Sequence, residues 1–363
     1  MQGICDFRKF LFWLQYDGSR FSSMAKGAAS HKGPSVYKLF ECCLARLFDE
    51  ENSKILTTTV SRTDAKVHAL RNPILIKTPN ERTASLIQSY DYRTKFICDF
   101  NDLIEKVGFK DAMELVEINP VEKGFNRNFH ISYRRYVYRI RRFHSMDAFL
   151  KSRENDKQSL VDLSEFNYSW SHPPSFCVEK ADEMCAILRR PELNYASFYN
   201  HKSRERLDGK NYKTTTGRRQ PKLLRIYRGE PYALPDKDSE YFNIEIVAHS
   251  FLRQQIRRMV ALICRAAYNM DYAKYTAEFL LRDPDPSKFH QVGLKPAPPN
   301  GLFLVDVVYD PRMFLSPVPY YSNPWDDEDM NEDIKLNNEG EEEEDLDDYD
   351  EIKEERKLRV LVN

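Results

Sequence analysis

An apolar run, an amphipathic stretch and a β-branched run follow one another early in the chain, and that order limits its fold more than any other feature. Residues 10–16 read as a buried strand, with Phe10, Leu11, Phe12, Trp13 and Leu14 in unbroken succession. Residues 35–48 set Val36, Leu39, Phe40, Cys43, Leu44, Leu47 and Phe48 on one helical face, behind Ser35 as a plausible N-cap. Residues 55–60 return to a strand, and residues 72–76 add another apolar run. Strand, helix and strand in this order suit an α+β layer. Further on, residues 176–188 read as a second helix, and residues 241–247 as a strand feeding an arginine-rich helix. No internal repeat stands out from spacing.

The chain of 363 residues, 41% of them hydrophobic, can bury a large core in one big domain or two halves. No apolar run approaches the roughly 20 residues of a membrane span. Residues 1–8 are too short and polar for a signal peptide, and a strand from about residue 10 leaves little room for a transit peptide. The seven cysteines show no Cys-x-x-Cys spacing. Reduced thiols in an intracellular compartment follow, with neither a zinc site nor a disulfide framework. The net charge of −1 hides a strong asymmetry: residues 326–363 carry −13 and residues 1–325 carry +12. A basic body suits a phosphate-backbone partner, although membrane-surface and ribosome-associated proteins share it. The acidic run reads as a disordered tail, either a solubilising one or one that competes with RNA for the basic body.

Residues 61–70, Ser-Arg-Thr-Asp-Ala-Lys-Val-His-Ala-Leu, bring a carboxylate, a guanidinium and an imidazole into a small, apolar segment at the end of a strand. Strand ends hold catalytic side chains well, because a rigid element fixes them and a loop exposes them. Spacing alone reads equally as a surface ion pair beside a turn. Residues 199–225 hold nine Lys or Arg against two acids, with Tyr199 and Tyr212 interleaved. That is the composition of an electrostatic clamp on RNA, and also of a solvated loop.

The segment 61–70 resembles the Gly-Arg-Thr-Asp-Ala-Gly-Val-His-Ala signature of the TruA family of tRNA pseudouridine synthases. Ser61 and Lys66 stand where glycine is usual, and a glycine beside a catalytic loop often serves a positive φ. Tyr133-Arg134-Arg135-Tyr136-Val137-Tyr138 resembles the family's Arg-Tyr-x-Tyr strand, with Tyr136 and Tyr138 on one face. Residues 250–260, Ser-Phe-Leu-Arg-Gln-Gln-Ile-Arg-Arg-Met-Val, resemble its arginine helix. Leu252, Ile256, Met259, Val260 and Ile263 form a buried stripe there, with Arg257 beside it and Arg258 further round the wheel. Asn194-Tyr195-Ala196-Ser197-Phe198 and the 296–305 segment match two more blocks, and Tyr16-Asp17-Gly18 matches the first turn. The Gly-Trp-Gln usual after that turn is absent, and Arg127 is one residue out of place, so its role is not carried over. Ser-Phe-Leu-x-x-Gln-x-Arg-Arg-Met, Asp283-Pro284 and His290-Gln291 resemble an animal branch of the family.

The resemblance implies a pseudouridine synthase fold: two ferredoxin-like halves forming one mixed β-sheet, with helices and a central RNA-binding cleft. Residues 1–140 would form the N-terminal half with the catalytic Asp loop. Residues 141–315 would form the C-terminal half with the arginine helix and basic insertion, and residues 316–363 the acidic tail. It implies Asp64 as catalytic carboxylate, Arg257 as its ionic partner and Tyr136 against the uracil. Arg62, Arg258, Arg218 and Arg219 would contact substrate or RNA, while His68 reads as a core histidine. The reaction needs no cofactor and no metal. The partner would be tRNA or other structured RNA, with no membrane, and with a homodimer as in bacterial members among the assemblies allowed. The setting would be the cytoplasm or the mitochondrion, with the nucleus left open. The alternative is a catalytically weak RNA-binding protein that retains the fold. A hydrolase with a Ser-His-Asp set lacks its Gly-x-Ser-x-Gly signature.

Overall fold

A computed structural model describes residues 8–24, 33–48, 55–78, 87–154, 158–191, 193–200 and 219–317. Most of the basic insertion, Arg218 included, and the acidic tail lie outside the described residues.

The described residues build one nine-stranded mixed sheet flanked by helices, an α+β architecture consistent with the pseudouridine synthase fold. β1 (Arg8–Tyr16), β2 (Leu56–Thr59), β3 (His68–Thr78) and β4 (Met113–Val121) lie toward one edge. β5 (Ile131–Phe143), β6 (Trp170–His172), β7 (Leu223–Gly229), β8 (Ser239–Ala248) and β9 (Leu302–Tyr309) make up the rest. The order is β4-β1-β3-β9-β5-β8-β7, with β2 added to β3 and β6 to β5. β9 therefore sits at the centre. It runs antiparallel to β5 over most of its length, but meets β3 in a parallel ladder of only two pairs, His68 with Phe303 and Ala69 with Leu304.

The helices follow from the apolar faces. α1 (Val36–Phe48) and α2 (Tyr90–Lys106) lay Phe40 and Phe96 against Phe12 of β1, edge to face. Ser35 caps α1 as expected, its Oγ accepting the Lys38 N–H at 3.1 Å. Two short helices, α3 (Met146–Lys151) and α4 (Leu160–Glu165), cross between β5 and β6. α5 (Val178–Leu188), α6 (Gln255–Tyr268) and α7 (Met270–Arg282) pack together over the second part of the sheet. The arginine helix starts later than the sequence suggests. Gln254 adopts a left-handed backbone, φ 60°, and the Gln255 side chain accepts the Leu252 N–H at 2.8 Å. Leu252 thus precedes the helix and packs from the preceding loop.

One glycine is required by close approach. A Cβ at Gly18, in the turn after β1, would lie 2.1 Å from the carbonyl oxygen of Val67. The turn and the 61–67 loop are in backbone contact, and neither has room to retreat into the packed strands beneath. Gly18→Ala should therefore lower unfolding stability by about 2 kcal/mol or more, read as the midpoint shift in urea. A midpoint equal to the parent's would mean that the loop yields without cost.

Candidate active site

The loop between β2 and β3 points its side chains alternately in and out. Ser61, Thr63 and Val67 are buried, whereas Arg62 is exposed and Asp64 is partly so. Hydrogen bonds fix that alternation from below. Thr63 Oγ1 pairs with the Tyr16 hydroxyl at 2.8 Å, and Asn72 Nδ2 donates to Tyr16 at 3.0 Å and to the Ser61 carbonyl at 2.9 Å. With Thr63 turned in, its neighbours Arg62 and Asp64 must turn out. The Val67 N–H closes the turn on the Asp64 carbonyl at 3.1 Å. Lys66 completes it in the left-handed region, φ 65°, at the position where the motif carries glycine. A side chain there costs on the order of 1 kcal/mol.

Asp64 and Arg257 meet across the molecule. Arg257 Nη1 donates to Asp64 Oδ2 at 3.1 Å, with the side chains 14% and 27% exposed. The guanidinium is also held by Nε, which donates to the Ala297 carbonyl at 2.8 Å. Tyr136, on β5, is 7% exposed and packs edge to face on Phe251 at 5.3 Å. Burial pushes its phenol up; Arg134 and the Ser61 hydroxyl oppose this, and the Asp64 charge adds to it. The Asp64 charge is therefore felt at Tyr136, and the three side chains belong to one neighbourhood.

The remaining candidates divide. Arg62 lies exposed beside Asp64. Arg219 is half-buried, and its carbonyl accepts from Gln255 Nε2 at 2.9 Å. Arg258 departs from the wheel reading: it is 1% exposed, so it does not offer its charge to an RNA phosphate. Its Nη1 donates to the carbonyls of Ser197 at 3.3 Å and Tyr199 at 2.7 Å. Its Nη2 lies 3.3 Å from both Asn200 Oδ1 and His290 Nε2, and its guanidinium covers the Phe289 ring. None of these partners is a carboxylate, and burial pulls the guanidinium down to about 10. The wheel failed because α6 is packed nearly all round, so no polar side remained for Arg258 to face. Arg258→Ala should cost about 3 kcal/mol in chemical unfolding, since it leaves several buried acceptors without a donor. A loss below about 0.5 kcal/mol would restore the surface reading.

His68 is buried beneath the loop, stacked on Phe303 at 4.6 Å. Its Nε2 faces the carbonyls of Asn167 at 2.8 Å and Asn300 at 3.1 Å, so that nitrogen carries the proton. Nδ1 lies 3.2 Å from the Gly18 nitrogen and 3.0 Å from Asp17 Oδ1. Tyr168 donates to the other Asp17 oxygen at 2.7 Å. Local sequence reading missed this network, because its members are scattered over the chain. Burial raises the Asp17 carboxyl, but the close contact with His68 and the bonds from Ser19 and Tyr168 outweigh it and hold Asp17 well below the usual carboxylate range. A depressed carboxyl contributes stability that is complete above the unfolded value, about 3.9, and is lost as pH falls through the acid range. Melting temperatures taken from about pH 7 down to about pH 3 should therefore fall less steeply in Asp17→Asn than in the parent. Parallel curves would exclude Asp17 as the source of acid sensitivity.

Among the described residues, no group of three or more His, Cys, Asp or Glu is placed to hold a metal ion, and no helix is long and apolar enough to cross a membrane. The site thus consists of an outward carboxylate gripped by an arginine, next to a buried phenol. These are the three side chains that the resemblance singled out.

The family model described as tRNA pseudouridine synthase matches residues 205–310. The human tRNA pseudouridine synthase-like 1 is 23% identical across 83% of this chain and 90% of its own length. The mouse protein of the same name is 24% identical across 83% of this chain and 94% of its own. The tRNA pseudouridine synthase A of Thermotoga neapolitana is 23% identical across 82% of this chain and 97% of its own. The chain is thus similar to tRNA pseudouridine synthases along most of its length, and these likenesses support an isomerase of the pseudouridine synthase class.

Proposed function

We propose that this chain converts uridine to pseudouridine in transfer RNA, with Asp64 as the catalytic carboxylate. The observation that carries the reading is the 3.1 Å bond between Asp64 and Arg257 on an outward-facing loop tip. The transfer-RNA substrate is supported by the family match and by the names of the relatives, and the +12 charge of residues 1–325 suits a phosphate backbone.

The reaction is an isomerisation and its atoms balance within the nucleotide. The bond from uracil N1 to ribose C1′ breaks, the base turns, and a bond from C5 to C1′ forms. C5 gives up a proton and N1 gains one. A uridine inside a folded RNA must first leave its stack. Asp64 is the group that acts on the freed nucleotide, since a carboxylate can form a covalent intermediate. Arg257 keeps that carboxylate ionised and aimed through a charge-assisted bond. Tyr136 supplies a flat, buried wall against the uracil, and Arg62, beside Asp64 and exposed, reaches toward the extruded nucleotide.

A second reading, an RNA-binding protein of low turnover, is favoured by Lys66, which holds a left-handed backbone two residues from Asp64. Single-turnover conversion of a transfer RNA separates the two. The parent should convert it, Asp64→Asn should lose about a thousandfold or more in rate, and binding should change by no more than about twofold. Arg257→Ala should lose activity together with about 1–3 kcal/mol of stability, since the pair is mostly buried. Comparable conversion by Asp64→Asn would refute the carboxylate assignment. A parent that binds RNA tightly without converting it would establish the second reading.

A further inference from the structure

One side chain joins the three segments that carry Asp64, Tyr136 and Arg257. Arg134 sits two residues before Tyr136 on β5. Its Nε donates to Ser61 Oγ at 2.7 Å, its Nη2 to the Val60 carbonyl at 3.2 Å and its Nη1 to the His249 carbonyl at 2.5 Å. Val60 and Ser61 open the loop that presents Asp64, and His249 begins the link from β8 to the helix of Arg257. A planar guanidinium with five donors in fixed directions can hold three segments at once, whereas an ammonium on a flexible stem cannot fix their relative orientation.

Ser61 supplies the side-chain acceptor of this grip. It is 4% exposed and stands where the resembling motif has glycine. A glycine offers Nε no acceptor. Burial raises the Tyr136 phenol, and the Arg134 charge and the Ser61 hydroxyl both oppose that rise. Asp64 and Tyr16 are the other titratable groups that bear on it. With Nε–H donated into Ser61 Oγ, the serine proton is free to point at the phenol oxygen.

We propose that Arg134 and Ser61 act as one positioning couple, setting the Asp64 loop against the Tyr136 strand and holding the Tyr136 phenol through the serine hydroxyl. The proposal rests on the reading of Asp64 and Tyr136 given above. Neither residue touches the reacting atoms: both act through Asp64 and Tyr136.

The test uses the full chain with 3-fluorotyrosine at position 136, in the parent, Ser61→Ala, Arg134→Gln and the double variant. Fluorine resonance followed against pH reads the phenol's ionisation without RNA or turnover, and single-turnover conversion and transfer-RNA affinity are measured beside it. Ser61→Ala should move the phenol's titration upward and slow conversion about tenfold, with affinity within about twofold of the parent. Arg134→Gln should do at least as much, and the double variant should be no worse than Arg134→Gln, because residues working as a unit do not add. The proposal is overturned if Ser61→Ala leaves titration and rate at parental values, or if the two effects add in full. Should Arg134→Gln fail to fold, the Ser61→Ala titration decides alone. Because the titration needs no catalysis, it stands apart from the Asp64→Asn experiment: persistent turnover there would refute the carboxylate assignment and leave the phenol measurement intact.

Discussion

Arg257 is held by backbone before it meets Asp64, and the geometry of the site follows from that. Its Nε donates to the Ala297 carbonyl, while the Ala297 N–H returns a bond to the Arg257 carbonyl at 2.9 Å. This reciprocal pair locks α6 to the segment that leads into β9. A long, flexible side chain is thereby reduced to a short fixed arm, and its outer nitrogens are left, with Nη1 on Asp64. The cost in rotamer freedom is met by packing, not by the ion pair itself, which a partly exposed position could not repay alone. The other end of the arrangement is equally fixed, since β3 begins only four residues beyond Asp64 and pairs there with β9. Both partners of the ion pair thus take their position from the same central strand.

Regular elements with a strong local pattern were legible in the sequence. The unbroken apolar run of β1, the one-sided face of α1 and the apolar stretch of β8 all carry their instructions within a dozen residues. α2 and β4 were not read, because each mixes charged and apolar residues without a clean period: Tyr90, Asp91 and Arg93 open the helix, and Glu114 and Glu117 interrupt the strand. Tertiary surroundings supplied what the pattern lacked. The same reason explains Arg258. A helical wheel assumes one wet side, and α6 has almost none.

The site divides along a similar line. Asp64, Tyr136 and Arg257 belong to contiguous motifs, so they could be nominated by the resemblance, and the left-handed backbone at Lys66 was foreshadowed by the glycine usual there. The supporting layer could not. Arg134 gains its meaning from Ser61 and His249, and His68 from Asp17, Asn167 and Asn300, all distant in sequence. Such contacts leave no period behind. They exist because buried polar groups need partners, and the fold decides which partners are near.

The central place of β9 has a consequence for how the protein comes into being. Ribosomes deliver the chain from its N-terminus, and β3 and β5 are made long before the strand that separates them. Until residues 302–309 emerge, the two strands have no shared neighbour, and the sheet gives the carboxylate loop no fixed place against the arginine helix. Pairing across so long a stretch of chain is slow to find, since the closure entropy must be overcome before the contacts reward it. A nascent chain halted after Arg257 but before β9 therefore carries every residue of the proposed site and still has no site.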